Sequence, residues 1–369
     1  MKLNTSLLAA SLEKAMYPFT ANQIYIRNAW YIAAFSGEVS RQPLQRTIMD
    51  EPIVLYRTEA GAPQAMWGLC AHRNFPLAEG KLIGDEIQCP YHGYRYAVDG
   101  SCAHVPGQST CPKSFRQRLY PCIERGGFLW LWMGEASKAD AALMPPLEQV
   151  GADQPNWTMV PNEMTAIPAR WPLMIDNLMD LSHIGFLHLR SIDAPGSGEA
   201  PPEFLDDSAF KVTRLLPDRD SGMLYVRYAF PDRQEPVDVE IGVEFLTPGF
   251  LAAYMRFYEP GTQRQQLLGT SYHYQGVTPE SRTSTLGFSA LVRDIQLDSH
   301  VFDEWLKSSV RKTREEDKMA LAHLESYAEQ YADVRRELSG VNDIAAIRVR
   351  RHLSQLLEAE ERSAESTDQ

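Results

Sequence analysis

Hydrophobic and polar positions divide the chain into a β-patterned first part, a proline-rich junction and a second part in which strands give way to helices. From Arg27 to about Met133 there are short strand-like runs such as Ile53-Val54-Leu55-Tyr56, Glu86-Ile87-Gln88 and Gly127-Phe128-Leu129-Trp130-Leu131-Trp132. Gly, Pro and Asp separate them, which predicts short strands joined by turns. Residues 134–156, with Pro145, Pro146 and Pro155, read as a linker. A helix is expected to begin around Trp171-Pro172, since proline fits a first turn. Beyond Pro201, strict alternation of Val237, Val239, Ile241, Val243 and Phe245 predicts a strand with one buried face. Further strand-like runs cover 222–230, 251–258, 267–277 and 283–293. The pattern turns helical from Ser299 to Tyr331 and again over roughly 343–361, and 361–369 is a polar tail.

A chain of 369 residues predicts about two domains, taken here as 27–135 and 157–360. Hydrophobic content of 44% and charged content of 23% are those of a globular protein. No apolar run approaches the ~20 residues that span a bilayer, so no membrane association is expected. Residues 1–26 read as a leader, with a short helix in it, rather than a signal peptide, because Glu13 and Lys14 interrupt the apolar run Leu7–Ala10. A cytoplasmic location follows as an expectation. The net charge of −12 argues against nucleic-acid binding, which needs a basic face. Between Gln64 and Tyr120 basic residues modestly outnumber acidic ones, and this stretch reads either as a docking face for an acidic redox partner or as ordinary solvated surface.

All five cysteines lie between positions 70 and 122, an odd number that argues against a disulfide framework and directs attention to metal ligands. Cys102, Cys111 and Cys122 lack ligand-like spacing and read as core or loop residues. Cys70-Ala71-His72 and Cys89-Pro90-Tyr91-His92 form C-x-H and, sixteen residues on, C-x-x-H. Each pair mixes one thiolate with one imidazole, so two loops can each supply one ligand to each iron of a [2Fe–2S] cluster. Zinc sites of comparable composition usually pair Cys with Cys and His with His. Replacing two anionic ligands by neutral ones raises the cluster potential from about −400 mV to roughly −150 mV or above. A cluster so tuned accepts electrons from a flavin or ferredoxin and still delivers them to oxygen chemistry.

These residues, with Arg73, Pro76, Leu77, Gly80 and Gly93, resemble the Rieske oxygenase motif C-x-H-R…P-L…G…C-x-Y-H-G. Tyr94 stands where many members carry Trp, a departure expected to change packing beside the cluster without removing a ligand.

The stretch Asp176-Asn177-Leu178-Met179-Asp180-Leu181-Ser182-His183-Ile184-Gly185-Phe186-Leu187-His188 holds two histidines that fit a two-histidine, one-carboxylate Fe(II) site. Residues five apart lie ~140° apart on an ideal helix, so His183 and His188 converge only where the helix is distorted or ends, and Gly185 is placed to allow that. Without the upstream motif they read more readily as ordinary core histidines. The segment resembles the family's N-x-x-D-x-x-H-x-x-x-x-H motif. That resemblance implies that Asp180 joins His92 of an adjacent chain to His183, that Asn177 positions the iron site, and that the protein is a homotrimer. Lys312-Thr313-Arg314-Glu315-Glu316-Asp317-Lys318 resembles the helix that supplies the family's iron carboxylate. Asp317 is the expected ligand, with Glu316 as the alternative.

The resemblance runs from about Arg27 to Leu357 and is strongest to vanillate and dicamba O-demethylase-type oxygenases, as in Asn28-Ala29-Trp30-Tyr31-Ile32-Ala33-Ala34. It implies an α+β protein: an antiparallel β Rieske [2Fe–2S] domain, then a helix-grip (START-like) catalytic domain with a mononuclear Fe(II). It also implies an NAD(P)H-dependent reductase or ferredoxin as partner, and O2-dependent O-demethylation or hydroxylation of a small aromatic substrate. Ring cis-dihydroxylation and N-demethylation share these ligands and stay open. An electron carrier would leave His183, His188 and Asp317 idle, and a helix-grip binding module would show no oxygen uptake. On the run Tyr272-His273-Tyr274 alternate residues are expected to face a cavity. His273 and Arg256 are candidates for a substrate carboxylate, though a structural histidine and a surface arginine are the readier readings.

Overall fold

The computed structural model describes residues 24–205, 210–330 and 337–367. The leader helix expected within 1–26 therefore lies almost wholly outside the described residues. Two compact units emerge, one built on Arg27–Met144 with Thr278–Arg282, the other on Pro145–Val277 and Thr283–Gln369.

The first unit contains β1 (Trp30–Phe35), β2 (Leu44–Ile48), β3 (Glu51–Arg57), β4 (Pro63–Trp67), β5 (Lys81–Ile83), β6 (Glu86–Gln88), β7 (Arg95–Tyr96), β8 (Cys102–His104), β9 (Cys122–Arg125) and β10 (Phe128–Trp132). They form antiparallel sheets ordered β1-β10-β9, β2-β3-β4 and β5-β6-β7-β8. Every residue of β1 and β10 is buried, so their sequences are apolar throughout instead of alternating. Val54, Tyr56, Met66, Leu77, Ile87 and Tyr96 form one core cluster with Cys70 and Cys89, so the apolar packing reaches up to the two thiols. Residues 278–282, remote in sequence, are tied in by Met49 N–H to Pro279 O at 2.8 Å and Thr278 Oγ1 to Ile32 O at 2.7 Å.

The second unit carries β11 (Thr158–Ile167), β12 (Glu203–Phe204), β13 (Lys211–Arg219), β14 (Val237–Thr247), β15 (Phe250–Tyr258), β16 (Leu267–Ser281) and β17 (Ser284–Arg293) in one sheet ordered β11-β17-β16-β15-β14-β13-β12. Its helices are α1 (Trp171–Met179), α2 (Ile184–Leu187), α3 (Leu224–Ala229), α4 (His300–Gln330) and α5 (Ile344–Thr367). Phe302, Leu306, Val310, Arg314, Asp317 and Leu321 recur every three or four residues on α4 and are all buried, a stripe that turns the helix onto the interior. Ion pairs anchor α1 at both ends: Arg170 to Glu325 of α4 and Asp176 to Arg350 of α5, each at 2.6 Å.

The strand-like run 222–230 is instead a helix. Asp220, Ser221 and Gly222 turn the chain, and an Asp193 carboxylate oxygen accepts from Leu224 N at 3.1 Å, capping the first turn. Tyr225, Val226 and Ala229 are the residues α3 buries, a helical spacing that a short apolar run conceals. Strands β11 and β13 were not singled out by the hydrophobic pattern; Pro161 and Pro217 interrupt them, beside register irregularities at Pro161/Met164 and Leu216/Arg219.

Candidate metal centres

In the first unit, two loops of the same build carry the Cys and His pairs. Cys70 N donates to Phe75 O at 2.9 Å and Asn74 N to Cys70 O at 2.8 Å; Cys89 N donates to Tyr94 O at 2.8 Å and Gly93 N to Cys89 O at 3.0 Å. Gly93 has φ +75°, and a Cβ there would meet Pro106 Cγ at 3.2 Å, so the tight second loop favours glycine where the first takes Asn74 at φ 54°. Both thiols are buried, while the rings of His72 and His92 lie 4.8 Å apart. Tyr94 stacks on His72 at 4.5 Å between ring centroids, so the residue that departs from the family pattern packs on an imidazole. Tyr96 lies in β7, and nothing in its spacing marks it. Its hydroxyl accepts from Ala71 N at 3.1 Å and lies 3.2 Å from Cys70 Sγ. Burial pushes the Cys89 thiol pKa up, and proximity to Cys70 adds to this. Two buried thiols beside two imidazoles are a donor set suited to a ferric cluster, whose charge replaces the thiol protons.

In the second unit, α1 ends at Met179 and Asp180 is extended (φ −97°, ψ 108°), so His183 and His188 both lie beyond α1. They stand at the two ends of the four-residue α2. The expected break thus falls before His183. Gly185 serves a different purpose: a Cβ there would lie 2.7 Å from Gly198 N and 3.1 Å from Ser197 Oγ, so its smallness lets two backbone segments meet.

His183 Nε2 and His188 Nε2 face each other at 3.1 Å, and Asp317 Oδ1 lies 3.1 Å from His188 Nε2 and 3.8 Å from His183 Nε2. Bonds of ~2.1 Å at right angles place two nitrogens ~3 Å apart, so these three donors fit around one cation. They are the two-histidine, one-carboxylate group of a mononuclear iron. Asn177 Nδ2 donates to Asp317 Oδ1 at 2.9 Å and fixes the carboxylate. Glu316 does not join the group. Its Oε2 is 2.8 Å from Nδ1 of His188, the ring nitrogen turned away, and also accepts from Ser191 Oγ at 2.6 Å. Asp180 Oδ1 accepts from Ser182 N at 2.6 Å, and its Oδ2 stands 3.9 Å from His183 Nδ1, which is buried without a hydrogen-bond partner.

Burial drives the His183 pKa down. Burial acts the same way on His188, but the Asp317 hydrogen bond and charge, then Glu316, hold its pKa above the ordinary value. Burial works against the Asp317 carboxylate, yet His188 keeps its pKa low. The site is therefore a buried carboxylate between imidazoles, an electrostatic setting that favours a divalent cation.

A largely apolar cavity opens beside this group. Leu181 and Ile184, on either side of His183, line it with Ile192, Tyr225 and Leu306, and with Val310 and Thr313 from the turn of α4 before Asp317. Ser271 and His273 of β16 face it. Thr270 and Tyr272 alternate to the opposite side and line a separate groove with Arg256, which bonds Tyr272 Oη at 3.1 Å and pairs with Glu240 at 3.5 Å. Of the two residues considered for a substrate carboxylate, only His273 reaches the cavity beside the iron group. Tyr274 reaches neither space, its hydroxyl donating to Val150 O at 2.9 Å.

A cysteine–histidine loop pair in one unit and a two-histidine, one-carboxylate group beside an apolar cavity in the other define an iron-dependent oxygenase. Comparison with known proteins narrows this. Residues 29–119 match the Rieske [2Fe-2S] domain, and residues 167–359 match the vanillate O-demethylase oxygenase C-terminal domain. The dicamba O-demethylase oxygenase component of Stenotrophomonas maltophilia is 29% identical over 91% of this chain and 99% of its own. The vanillate O-demethylase oxygenase subunit of a Pseudomonas species is 29% identical over 93% and 98%. The crystal structure of dicamba monooxygenase bound to dicamba superposes with a TM-score of 0.82 at 28% identity, covering 91% of this chain and 99% of that one. The chain belongs to the Rieske non-heme iron oxygenases. It is an oxidoreductase that uses O2, the terminal oxygenase component of a two-centre iron system. Among the described residues no helix is long and apolar enough to cross a membrane.

Proposed function

We propose that this chain oxidises a small aromatic substrate in the cavity beside His183, His188 and Asp317, as an O-demethylase or hydroxylase. The observation that carries this reading is the adjacency of an apolar, ring-lined cavity to the iron ligands. Relatives named for dicamba and vanillate O-demethylation support it. In this reading Cys70 and Cys89 hold one iron of the cluster, and His72 and His92 the other. When bound, the cluster supplies single electrons and the mononuclear iron supplies oxygen activation. Asn177 keeps the Asp317 carboxylate turned to the metal, and Glu316 keeps Nε2 of His188 turned the same way by holding Nδ1. Leu181, Ile184, Leu306 and Val310 hold the ring and exclude water, so the methyl or ring carbon to be attacked stays against the iron. Hydroxylation of a methoxyl carbon leaves a hemiacetal that collapses to formaldehyde and a phenol.

The same reading gives the second unit a helix-grip form, its seven-stranded sheet packed against α4. It makes the protein a cytoplasmic homotrimer served by an NAD(P)H-dependent reductase or ferredoxin. In that assembly Asp180 links His183 to His92 of the adjacent chain, and the unpartnered His183 Nδ1 is the atom that receives it. Replacing Asp180 by Asn is expected to leave both metals bound and reduce turnover at least a hundredfold. Full activity in that variant removes the linking role.

A single-turnover reaction tests the function. The protein is reduced chemically, mixed with O2 and methoxylated, N-methylated or unsubstituted aromatic acids, and the products are identified by mass spectrometry. Formaldehyde with a matching phenol is the expected result. A diol without formaldehyde makes the enzyme a dihydroxylase, and no product from any ring rejects the aromatic assignment.

A further inference from the structure

Two of the three iron ligands are held in place by a hydrogen bond on the side away from the metal. Glu316 holds His188, and Asn177 holds Asp317. His183 has no such support: its Nδ1 is without a hydrogen-bond partner, and Asp180 Oδ2 at 3.9 Å is out of reach. The direction of this ring therefore depends on the backbone that carries it. That backbone lies flush against residues 197–200. A Cβ on Gly198 would meet Ser182 O at 2.7 Å and Phe186 Cε2 at 2.5 Å, and one on Gly185 would meet Gly198 N at 2.7 Å. Backbone meets backbone here, so a displacement of one segment is passed on to the other.

Behind residues 197–200 stands Arg214 of β13. It pairs in register with Ile241, which lines the cavity, so Arg214 lies on the cavity face of the sheet, one strand further out. Arg214 is only 2% exposed. Its Nη1 donates to the carbonyls of Ser197 at 3.1 Å, Gly198 at 3.2 Å and Ala200, and its Nη2 to Asn342 Oδ1 at 2.7 Å. Among the described residues no carboxylate bonds to it. Burial pulls its pKa down, and the charge of Asp180 opposes this. A buried cation without a bonded counter-ion is costly and needs compensation. Here four oxygen acceptors supply it, three of them on the one loop that braces His183.

We propose that Arg214 is a positioning residue for the mononuclear iron: it clamps the 197–200 backbone, which braces residues 182–186 and so aims His183 at the metal. Arg214 itself bonds to none of the three iron ligands. An apolar side chain in its place leaves three buried carbonyls without a donor, and the loop must move to satisfy them. Because the two segments touch backbone to backbone, that movement reaches His183. His188 and Asp317 keep their own hydrogen bonds and stay in place. The role concerns iron binding and holds whichever substrate the cavity takes.

The test uses the full-length protein with its cluster intact, freed of mononuclear iron by a chelator and titrated anaerobically with Fe(II) in a calorimeter. Arg214→Met is expected to bind Fe(II) about tenfold more weakly, the low end of the loss when a ligand's supporting contact is removed. Near-infrared magnetic circular dichroism of the bound Fe(II) is expected to show shifted ligand-field bands, because the His183 nitrogen is displaced. The visible spectrum of the cluster stays unchanged. Gly198→Ala pushes the same two segments apart with Arg214 present, and is expected to give the same loss and shifted bands. Asn342→Ala removes only the contact toward α5, and is expected to lower the melting temperature while Fe(II) affinity is kept. Unaltered affinity and bands in Arg214→Met overturn the positioning role. So does an equal loss in Asn342→Ala, which makes weaker iron binding a consequence of general destabilisation. Full affinity in Gly198→Ala overturns the route through the loop. If Arg214→Met does not fold, Arg214→Gln decides: it keeps an amide donor on a shorter side chain without the buried charge, and full Fe(II) affinity in it overturns the role.

Discussion

Single atoms decide the chemistry of both centres. Glu316 and Asp317 are neighbours in sequence, yet only Asp317 Oδ1 approaches both Nε2 atoms, while Glu316 takes Nδ1 of His188. Asp317→Ala is expected to lose mononuclear iron and retain the visible absorbance of the cluster, which metal analysis and spectroscopy check together. Glu316→Ala is expected to weaken Fe(II) binding roughly 10- to 100-fold by freeing the ring. Glu316→Gln, whose amide oxygen still accepts from Nδ1–H, should lose less. Retention of full affinity by Glu316→Ala would falsify the orienting role. At the cluster a ligating Cys70 carries no proton, so the Tyr96 hydroxyl 3.2 Å away is then the donor to its sulfur and stabilises the more negative reduced state. Tyr96→Phe is expected to lower the reduction potential, measured by a spectroscopic redox titration; an unchanged potential rules out the donation.

Among the elements, the short α2 is the most demanding. Its four residues separate the two iron histidines, and Gly185 at its second position is pressed against Gly198 and Ser197. Gly185→Ala forces the 183–188 turn or the 197–198 backbone to move, at a cost of about 1–3 kcal/mol. A lower melting temperature accompanied by weaker iron binding is the expected pair of effects; loss of neither shows that the two segments yield freely. The hydrophobic pattern located long elements such as β14, β15, β16 and α4, where many periods of one repeat accumulate. It failed at α3, because six apolar-rich residues fit a strand or a helix equally, and the Asp193 cap that decides between them comes from a distant turn. It did not single out β11 and β13, where irregular pairing breaks the two-residue repeat.

For the molecule as a whole, the pKa of His273, depressed by burial, links the cavity to stability. Its folded value of about 3 lies below the ~6.5 of an unfolded histidine, so between these values the unfolded chain binds a proton that the folded protein refuses. Stability contributed by the neutral ring is complete above pH ~6.5 and is lost as the pH falls toward 3. Urea unfolding at pH 7 and at pH 4.5 is expected to show a smaller acid loss in His273→Asn than in the unaltered protein. An equal loss in both assigns the acid sensitivity to other groups.

Local spacing alone brought out Cys70 with His72 and Cys89 with His92, since one loop can present both members of each pair, while His183 and His188 stood out only beside that upstream motif. The β-patterned first part and the late helices were legible for the same reason: burial imposes its repeat on neighbouring residues. Only the tertiary structure decided which carboxylate of α4 meets the histidines 129 and 134 residues before Asp317, because that depends on the rotation of a long helix against a distant turn. The same holds for the separation of His273 from Arg256 onto opposite faces of the sheet, and for the route from Arg214 to His183. Alternation tells which residues share a face, but only the packing of the sheet against α4 tells which face holds the chemistry.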